Sequence, residues 1–428
     1  ANEGMLCAKS DKPGPVHFNF RFSTPLGGIV KTYPESVRII EEETTAPFMT
    51  KEAIYRLSSS AYDKRILIVA GFLPPSSNLQ KSISSIMKLE NVAVMAETIS
   101  NLHLSGDNYS IDSTLCHLDK TTLESLRPDI VISLGGALVS RRLKEWLRSC
   151  PPDEHWVITQ GEVLSDCFQS ITKVIKTEPF AFIRQLAGSI KRLQSKQDKN
   201  SPSYSKIWQE IRRLCSELNR DFINNCGWSD LKAFSKIIPA IPTSWNLFIS
   251  NGTSIRYDQI ISHAPPHSTF CNRGVSGIDG STSTAVGGST AYKGMTLLIT
   301  GDTSFAYDLG GLGCRLADKN FRLIVIRNGG GGIFRFISST SSLPMREQCF
   351  CADPNPPCQG LANAYGWKYL SADSEASLSE ALKLFLRNCE SPILLEVFTP
   401  QEESAEILRQ FFRNQRINPT SIFKHYYV

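Results

Sequence analysis

Two oxygen-bearing side chains carry the first sign of chemistry. Asp302 sits in "TGDTSF" and Asn328 in "IRNGGGGIF", 26 residues apart. Each closes an apolar β-prone run, "TLLIT" before Gly301-Asp302-Thr303 and "LIVI" before Arg327-Asn328. An aspartate, an asparagine amide and a loop carbonyl are hard oxygen donors. Such a set suits Mg²⁺ holding a phosphorylated cofactor, because magnesium takes few protein ligands and completes its shell with phosphate oxygens and water. The glycines from 329 to 332 let the backbone approach a ligand and adopt positive φ. A helix beginning after Asp302 would offer free N–H groups to a phosphate. On these residues alone an N-capping aspartate and a flexible glycine turn remain the alternative.

For the two oxygens to meet, their runs must be neighbouring parallel strands joined by one right-handed crossover. Both would then lie at the carboxyl edge of the sheet, where open α/β folds bind ligands. The flanking sequence supplies that alternation. Residues 64–193 read as a central Rossmann-like α/β domain, with strands "RILIVAG", "VAVMAE", "DIVISLG" and "HWVIT" and helices at 78–89 and 138–149. Residues 194–206, "QSKQDKNSPSYSK", have linker chemistry. Residues 207–428 form a second parallel domain, with "NLFIS", "MTLLITGD", "FRLIVIRN" and "PILLEVF" as strands. The fold class is therefore α/β, with two doubly wound parallel-sheet domains. Residues 1–25 read as a helix end and a strand, "VHFNF", too small to bury a core of their own, and residues 26–63 as a polar linker. "LGGALVSRR" fits either a dinucleotide loop or a plain strand-to-helix turn, since the full glycine fingerprint is missing.

Composition sets the outer bounds. The chain has 428 residues, 41% hydrophobic and 20% charged, with a formal charge of +5. That is room for two or three domains of an ordinary globular protein. No lysine/arginine block resembles a nucleic-acid footprint, and no apolar run reaches the roughly 18 residues of a membrane span. Twelve scattered cysteines point to a reducing, cytoplasmic setting. Cys349, Cys351 and Cys358 read as a proline-rich loop or a metal knuckle of unusual spacing. His263 and His267 flank Pro-Pro and read as loop residues or as acid–base groups.

The spacing of Gly-Asp-Thr and the strand-terminal asparagine resembles the diphosphate-binding motif of thiamine diphosphate enzymes. Together, "SNGTSIR" (250–256), "NRGVSGIDGSTSTAVG" (272–287), "GDTSFAYDLGGL" (301–312) and "RNGGGGIF" (327–334) resemble one such family, the 2-succinyl-5-enolpyruvyl-6-hydroxy-3-cyclohexene-1-carboxylate synthases (MenD) of menaquinone or phylloquinone biosynthesis. The resemblance covers essentially the whole chain and implies a central domain followed by a diphosphate-binding domain. It implies Asp302, Asn328 and the Gly330 carbonyl as ligands of Mg²⁺ (or Mn²⁺). Gly301, Thr303 and Ser304 would meet the diphosphate. Ser276, Gly277 and Ile278 would line the aminopyrimidine and thiazolium. Ile333, Phe334 and Ile337 would form an apolar wall facing substrate.

The same resemblance implies a reaction: decarboxylation of 2-oxoglutarate and 1,4-addition of the resulting succinyl carbanion to isochorismate. Both substrates are polycarboxylates, and arginine forks are natural carboxylate clamps. Arg256 and Arg273, with Arg141 and Arg142 from the central domain, match that role. Three departures stand out. Arg327 replaces the first asparagine of a usual pair, and Gly252 replaces a substrate-contacting serine. The activating glutamate is expected in an N-terminal pyrimidine-binding domain, of which residues 1–25 would be the remnant. Glu3 lies in the wrong element to replace it, so this polypeptide is expected to be a fragment with little synthase activity. A homodimer or dimer of dimers is implied for the intact protein. The competing readings are an acetolactate synthase-like carboligase and a noncatalytic protein on the same fold.

Overall fold

The computed structural model describes residues 2–9, 14–19, 48–104, 110–160, 166–194, 203–261, 268–314, 316–351, 353–413 and 417. Two all-parallel sheets organise it. The first contains β1 (Ile66–Ala70), β2 (Val92–Ala96), β3 (Ile130–Leu134), β4 (Glu154–Thr159) and β5 (Lys173–Lys176), in the order β2-β1-β3-β4-β5. The second contains β6 (Asn246–Ile249), β7 (Ser268–Phe270), β8 (Thr296–Gly301), β9 (Phe321–Arg327), β10 (Lys368–Ala372) and β11 (Ile393–Phe398), in the order β10-β11-β9-β8-β6-β7. Every pairing is parallel, as the strand–helix alternation predicts.

The central strands lack polar alternation because helices cover both faces of each sheet. All five residues of β1, inside the first sheet, are buried. The three strands absent from the sequence reading, β5, β7 and β10, are short or lie at sheet edges. These three bury less, so their patterns are weaker: β5 buries only Ile175 of its four residues.

Several expected boundaries shift. The helix expected at 138–149 begins at Arg141, because Ser140 is its N-cap and accepts the Leu143 N–H at 3.1 Å. The stretch read as a linker contains the helix Lys51–Ala61, which buries Ile54, Leu57 and Ala61 in the core of the first sheet domain. The helix Tyr204–Asn225, assigned from sequence to the second domain, buries Tyr204, Ile207, Trp208 and Ile211 against the other face of the first sheet. Residues 14–19 form no strand and are exposed, so the strand expected at "VHFNF" is not seen in its described part. A strand is held by ladder hydrogen bonds to a neighbour, and an apolar alternation alone does not supply one.

The glycines of "LGGALVSRR" have a packing role. Gly135 has φ +77°, and a Cβ there would come within 2.6 Å of the Phe72 carbonyl oxygen. Two strand-end loops are pressed together there.

The two sheet domains share buried contacts. The Asn101 side chain donates to the Thr269 carbonyl at 3.2 Å and accepts the Thr269 N–H at 2.7 Å. Ile99, Cys116 and Val139 of the first domain belong to the core that surrounds β6, β8 and β9.

Candidate cofactor and active site

Strand order locates the crevice. The chain leaves β6 for β7 on one side and returns to β8 on the other, so β6 and β8 flank a topological switch point, the place where doubly wound sheets bind ligands. The carboxyl end of β6 runs into Ser250 and Asn251, and that of β8 into Asp302. Next to β8 lies β9, in a register that pairs Gly301 with Ile326. That register brings Asp302 beside Asn328. One carboxylate oxygen of Asp302 accepts the N–H groups of Asn328 at 3.2 Å and Gly330 at 2.9 Å, and the other accepts the Thr303 N–H at 2.8 Å. Asp302 is buried, which pushes its carboxyl pKa up, while the Gly330 and Thr303 N–H groups pull it back.

The glycine loop wraps around this corner. Gly329, Gly330 and Gly331 have φ of +76°, +71° and +54°. A side chain is excluded on steric grounds too, since a Cβ at Gly331 would lie 2.6 Å from the Phe350 carbonyl oxygen. The Gly331 N–H donates to the Thr303 hydroxyl at 3.2 Å. The helix after β8 spans only Asp302–Tyr307, and its Thr303 N–H is already used by Asp302.

Ser304 ties in the third motif by donating to the Ile278 carbonyl at 2.5 Å. Ser276 has φ +61° and is exposed, while Gly277 and Ile278 are half-buried. Asn251, not singled out from sequence, staples this loop. Its amide donates to the carbonyls of Asn272 at 2.6 Å and Gly277 at 2.7 Å, and its oxygen accepts from Arg273 at 2.7 Å. Gly252 has φ +94°, so the departure from serine coincides with backbone that favours glycine. Ile333, Phe334 and Ile337 lie on and just after the short helix Gly332–Phe336 and are half-buried, with the Phe334 ring 5.5 Å from that of Phe350.

Two further residues shape the site. Asp230, buried at the start of the helix Asp230–Ala240, accepts the Asn328 amide N–H at 2.7 Å and the Thr399 hydroxyl at 2.5 Å. Burial pushes its pKa up to about 6, with Asp302 adding to the rise. Arg335 is buried and donates to three successive loop carbonyls, Asn328 at 3.1 Å, Gly329 at 3.2 Å and Gly330 at 2.8 Å. "WSDLKAF" reads as an ordinary helix start and "GIFRF" as an ordinary helix, so nothing local marked either residue.

The four arginines converge unevenly. Glu97 and Asp112 are buried where the two domains meet. Arg142 and Arg256 lie within electrostatic reach of Asp112, and Arg273 within reach of Glu97. Burial pushes the Arg256 pKa down, and Asp112 opposes the shift. The Arg142 guanidinium stacks 4.7 Å from the Phe412 ring centroid. Arg141 is exposed and pairs with Glu145 at 2.6 Å on its own helix.

A carboxylate, an amide oxygen and a carbonyl lie on adjacent strand ends, the donor types a hard divalent cation takes, although the Gly330 carbonyl also accepts from Arg335 at 2.8 Å. No three His, Cys, Asp or Glu side chains group as a metal site among the described residues. Cys351 instead donates its thiol to the Gly331 carbonyl, and the cysteines are free thiols. His263 and His267 lie outside the described residues.

Known proteins settle the family. A 2-succinyl-5-enolpyruvyl-6-hydroxy-3-cyclohexene-1-carboxylate synthase of Porphyromonas gingivalis is 38% identical over 416 residues, covering 96% of this chain and 71% of the relative. The chain belongs to that synthase family. The Flavobacterium johnsoniae synthase is 36% identical over 404 residues (94% of this chain, 71% of the relative), and the Bacteroides fragilis synthase 31% over 419 (96% and 72%). No family model matches the chain. Membership accounts for the joint occurrence of the four motifs on this sheet edge. No helix among the described residues is long and apolar enough to cross a membrane.

Proposed function

We propose that the protein is a thiamine diphosphate- and Mg²⁺-dependent (or Mn²⁺-dependent) transferase that decarboxylates 2-oxoglutarate and adds the succinyl unit to isochorismate, in menaquinone or phylloquinone formation. The carrying observation is the Asp302 corner. There the Asn328 and Gly330 N–H groups close onto the Asp302 carboxylate where two parallel strands end, which gathers the backbone of both motifs at one corner.

In this reading Asp302, the Asn328 amide oxygen and the Gly330 carbonyl hold the metal. Gly301, Thr303 and Ser304 border the diphosphate. Ser276, Gly277 and Ile278 face the rings. When bound, thiamine diphosphate supplies the nucleophilic carbon and the electron sink for decarboxylation. The chain's residues orient and shield. Ile333, Phe334 and Ile337 keep water from the reacting carbon, because an apolar wall strengthens the electrostatics inside the site. Arg256 and Arg273, with Arg142 behind them, take the carboxylates of the two substrates as guanidinium forks. Arg141, expected beside Arg142 in the same cleft, is exposed and paired with Glu145. The enzyme works in the cytoplasm as a homodimer or dimer of dimers.

Calorimetric titration with thiamine diphosphate, with and without Mg²⁺, tests the cofactor half of the proposal. Mass analysis after adding 2-oxoglutarate and isochorismate tests the reaction. Binding indifferent to divalent cation would refute the assignment.

A further inference from the structure

The Asn328 amide can face its surroundings in two ways, and only one of them presents oxygen to a cation. Its nitrogen lies 2.7 Å from the Asp230 carboxylate. An ionised carboxylate only accepts, so the amide must turn its NH₂ toward Asp230 and its Oδ1 away. Asp230 is itself fixed. Its other oxygen accepts the Thr399 hydroxyl at 2.5 Å, and its N–H donates to the Ser404 hydroxyl at 3.1 Å. It is 2% exposed and occupies the first turn of the helix Asp230–Ala240, where a negative charge is favoured. A group buried this deeply, bonded through both oxygens, does not rearrange freely.

We propose that Asp230 is a positioning residue for the metal: it fixes the amide orientation of Asn328, with Thr399 holding the carboxylate in place. This rests on the metal reading of Asp302, Asn328 and Gly330 given above. Partners behind a metal ligand set which atom the ligand offers, and losing one typically costs tenfold to a hundredfold in affinity.

The isosteric variant Asp230→Asn isolates the effect. The Thr399 hydroxyl has only a 3.4 Å alternative acceptor, the Arg327 carbonyl, so it keeps the 2.5 Å bond by donating to the new amide's oxygen, which turns the new NH₂ toward Asn328. Two NH₂ groups cannot face each other, so Asn328 flips and presents nitrogen, which has no free lone pair, to the cation. The hydrogen bond survives in reverse and the fold is kept. The double variant Asp230→Asn with Asn328→Asp restores an oxygen on both sides of residue 328.

Mn²⁺ titration in the presence of thiamine diphosphate, read by the loss of the free-ion paramagnetic resonance signal, separates the outcomes. Wild type binds; Asp230→Asn binds at least tenfold more weakly with an unchanged metal-free melting temperature; the double variant regains most of the affinity. Wild-type affinity in Asp230→Asn overturns the positioning role while leaving the metal reading intact, as does a weak double variant. Absence of Mn²⁺ binding in wild type overturns both.

Discussion

One nitrogen of the Arg335 guanidinium donates to the carbonyls of Gly330 at 2.8 Å and Asn328 at 3.1 Å, while another reaches the Gly329 carbonyl and the Glu347 carboxylate. One side chain, 1% exposed, thereby clamps three consecutive carbonyls of the glycine loop. Positive-φ glycines are entropically costly to fix, and the clamp offsets that cost.

Removing the clamp is expected to hurt stability first. Arg335→Ala leaves three buried carbonyls short of a donor, and an unsatisfied buried acceptor costs about 1–3 kcal/mol. Arg335→Lys replaces a planar fork by a point charge and recovers only part of it. Thermal melts of the three proteins, in the order wild type, lysine, alanine, check this; equal melting temperatures would contradict it.

Asp302 combines a loop anchor with a candidate metal ligand. Asp302→Ala removes the acceptor of the Asn328, Gly330 and Thr303 N–H groups. Mg²⁺-dependent cofactor binding should fall at least a hundredfold, because a carboxylate ligand and the loop geometry are lost together. Calorimetry with thiamine diphosphate gives the number.

The arginines should divide by burial. Charge-assisted hydrogen bonds contribute about 1.5–3 kcal/mol, so Arg273→Ala and Arg256→Ala should weaken 2-oxoglutarate binding to the cofactor-loaded protein about tenfold to a hundredfold. Arg141→Ala, at an exposed helical pair, should change it little. Cofactor affinity, measured alongside, should stay within a few-fold in all three.

Glu97 predicts a pH effect. Its carboxylate accepts the N–H groups of Val139 and Ser140 at 2.7 Å, yet burial dominates and pushes its pKa from 4.5 up to about 7. A raised carboxyl pKa means that the fold holds the proton more tightly than the unfolded chain. The stabilisation is complete below about pH 4.5 and is lost as pH rises through about 7. Glu97→Gln should flatten that part of the stability curve in denaturant titrations across the window. An unchanged slope would refute the assignment.

Sequence spoke most clearly where one residue type had one use. Uninterrupted apolar runs marked the central strands, since a strand buried on both faces tolerates no polar alternation. Asp302 and Asn328 were legible because each ends such a run, and their spacing leaves room for one crossover. The edge strands β5, β7 and β10 were not legible, for their half-covered faces carry mixed patterns. Nor was the helix Lys51–Ala61, whose few apolar residues acquire meaning only against the core they enter.

By itself, then, the chain's order of residues determined the parallel sheets, the strand ends that meet and the oxygen donors on them. Tertiary structure alone decided which way those donors face. Asp230 lies 98 positions from the amide it orients, and Glu97 lies 42 from the N–H group it accepts. An acidic residue near a helix start is common and usually solvated. Folding removes the water around these two, and once desolvated a carboxylate must find donors or give up its charge.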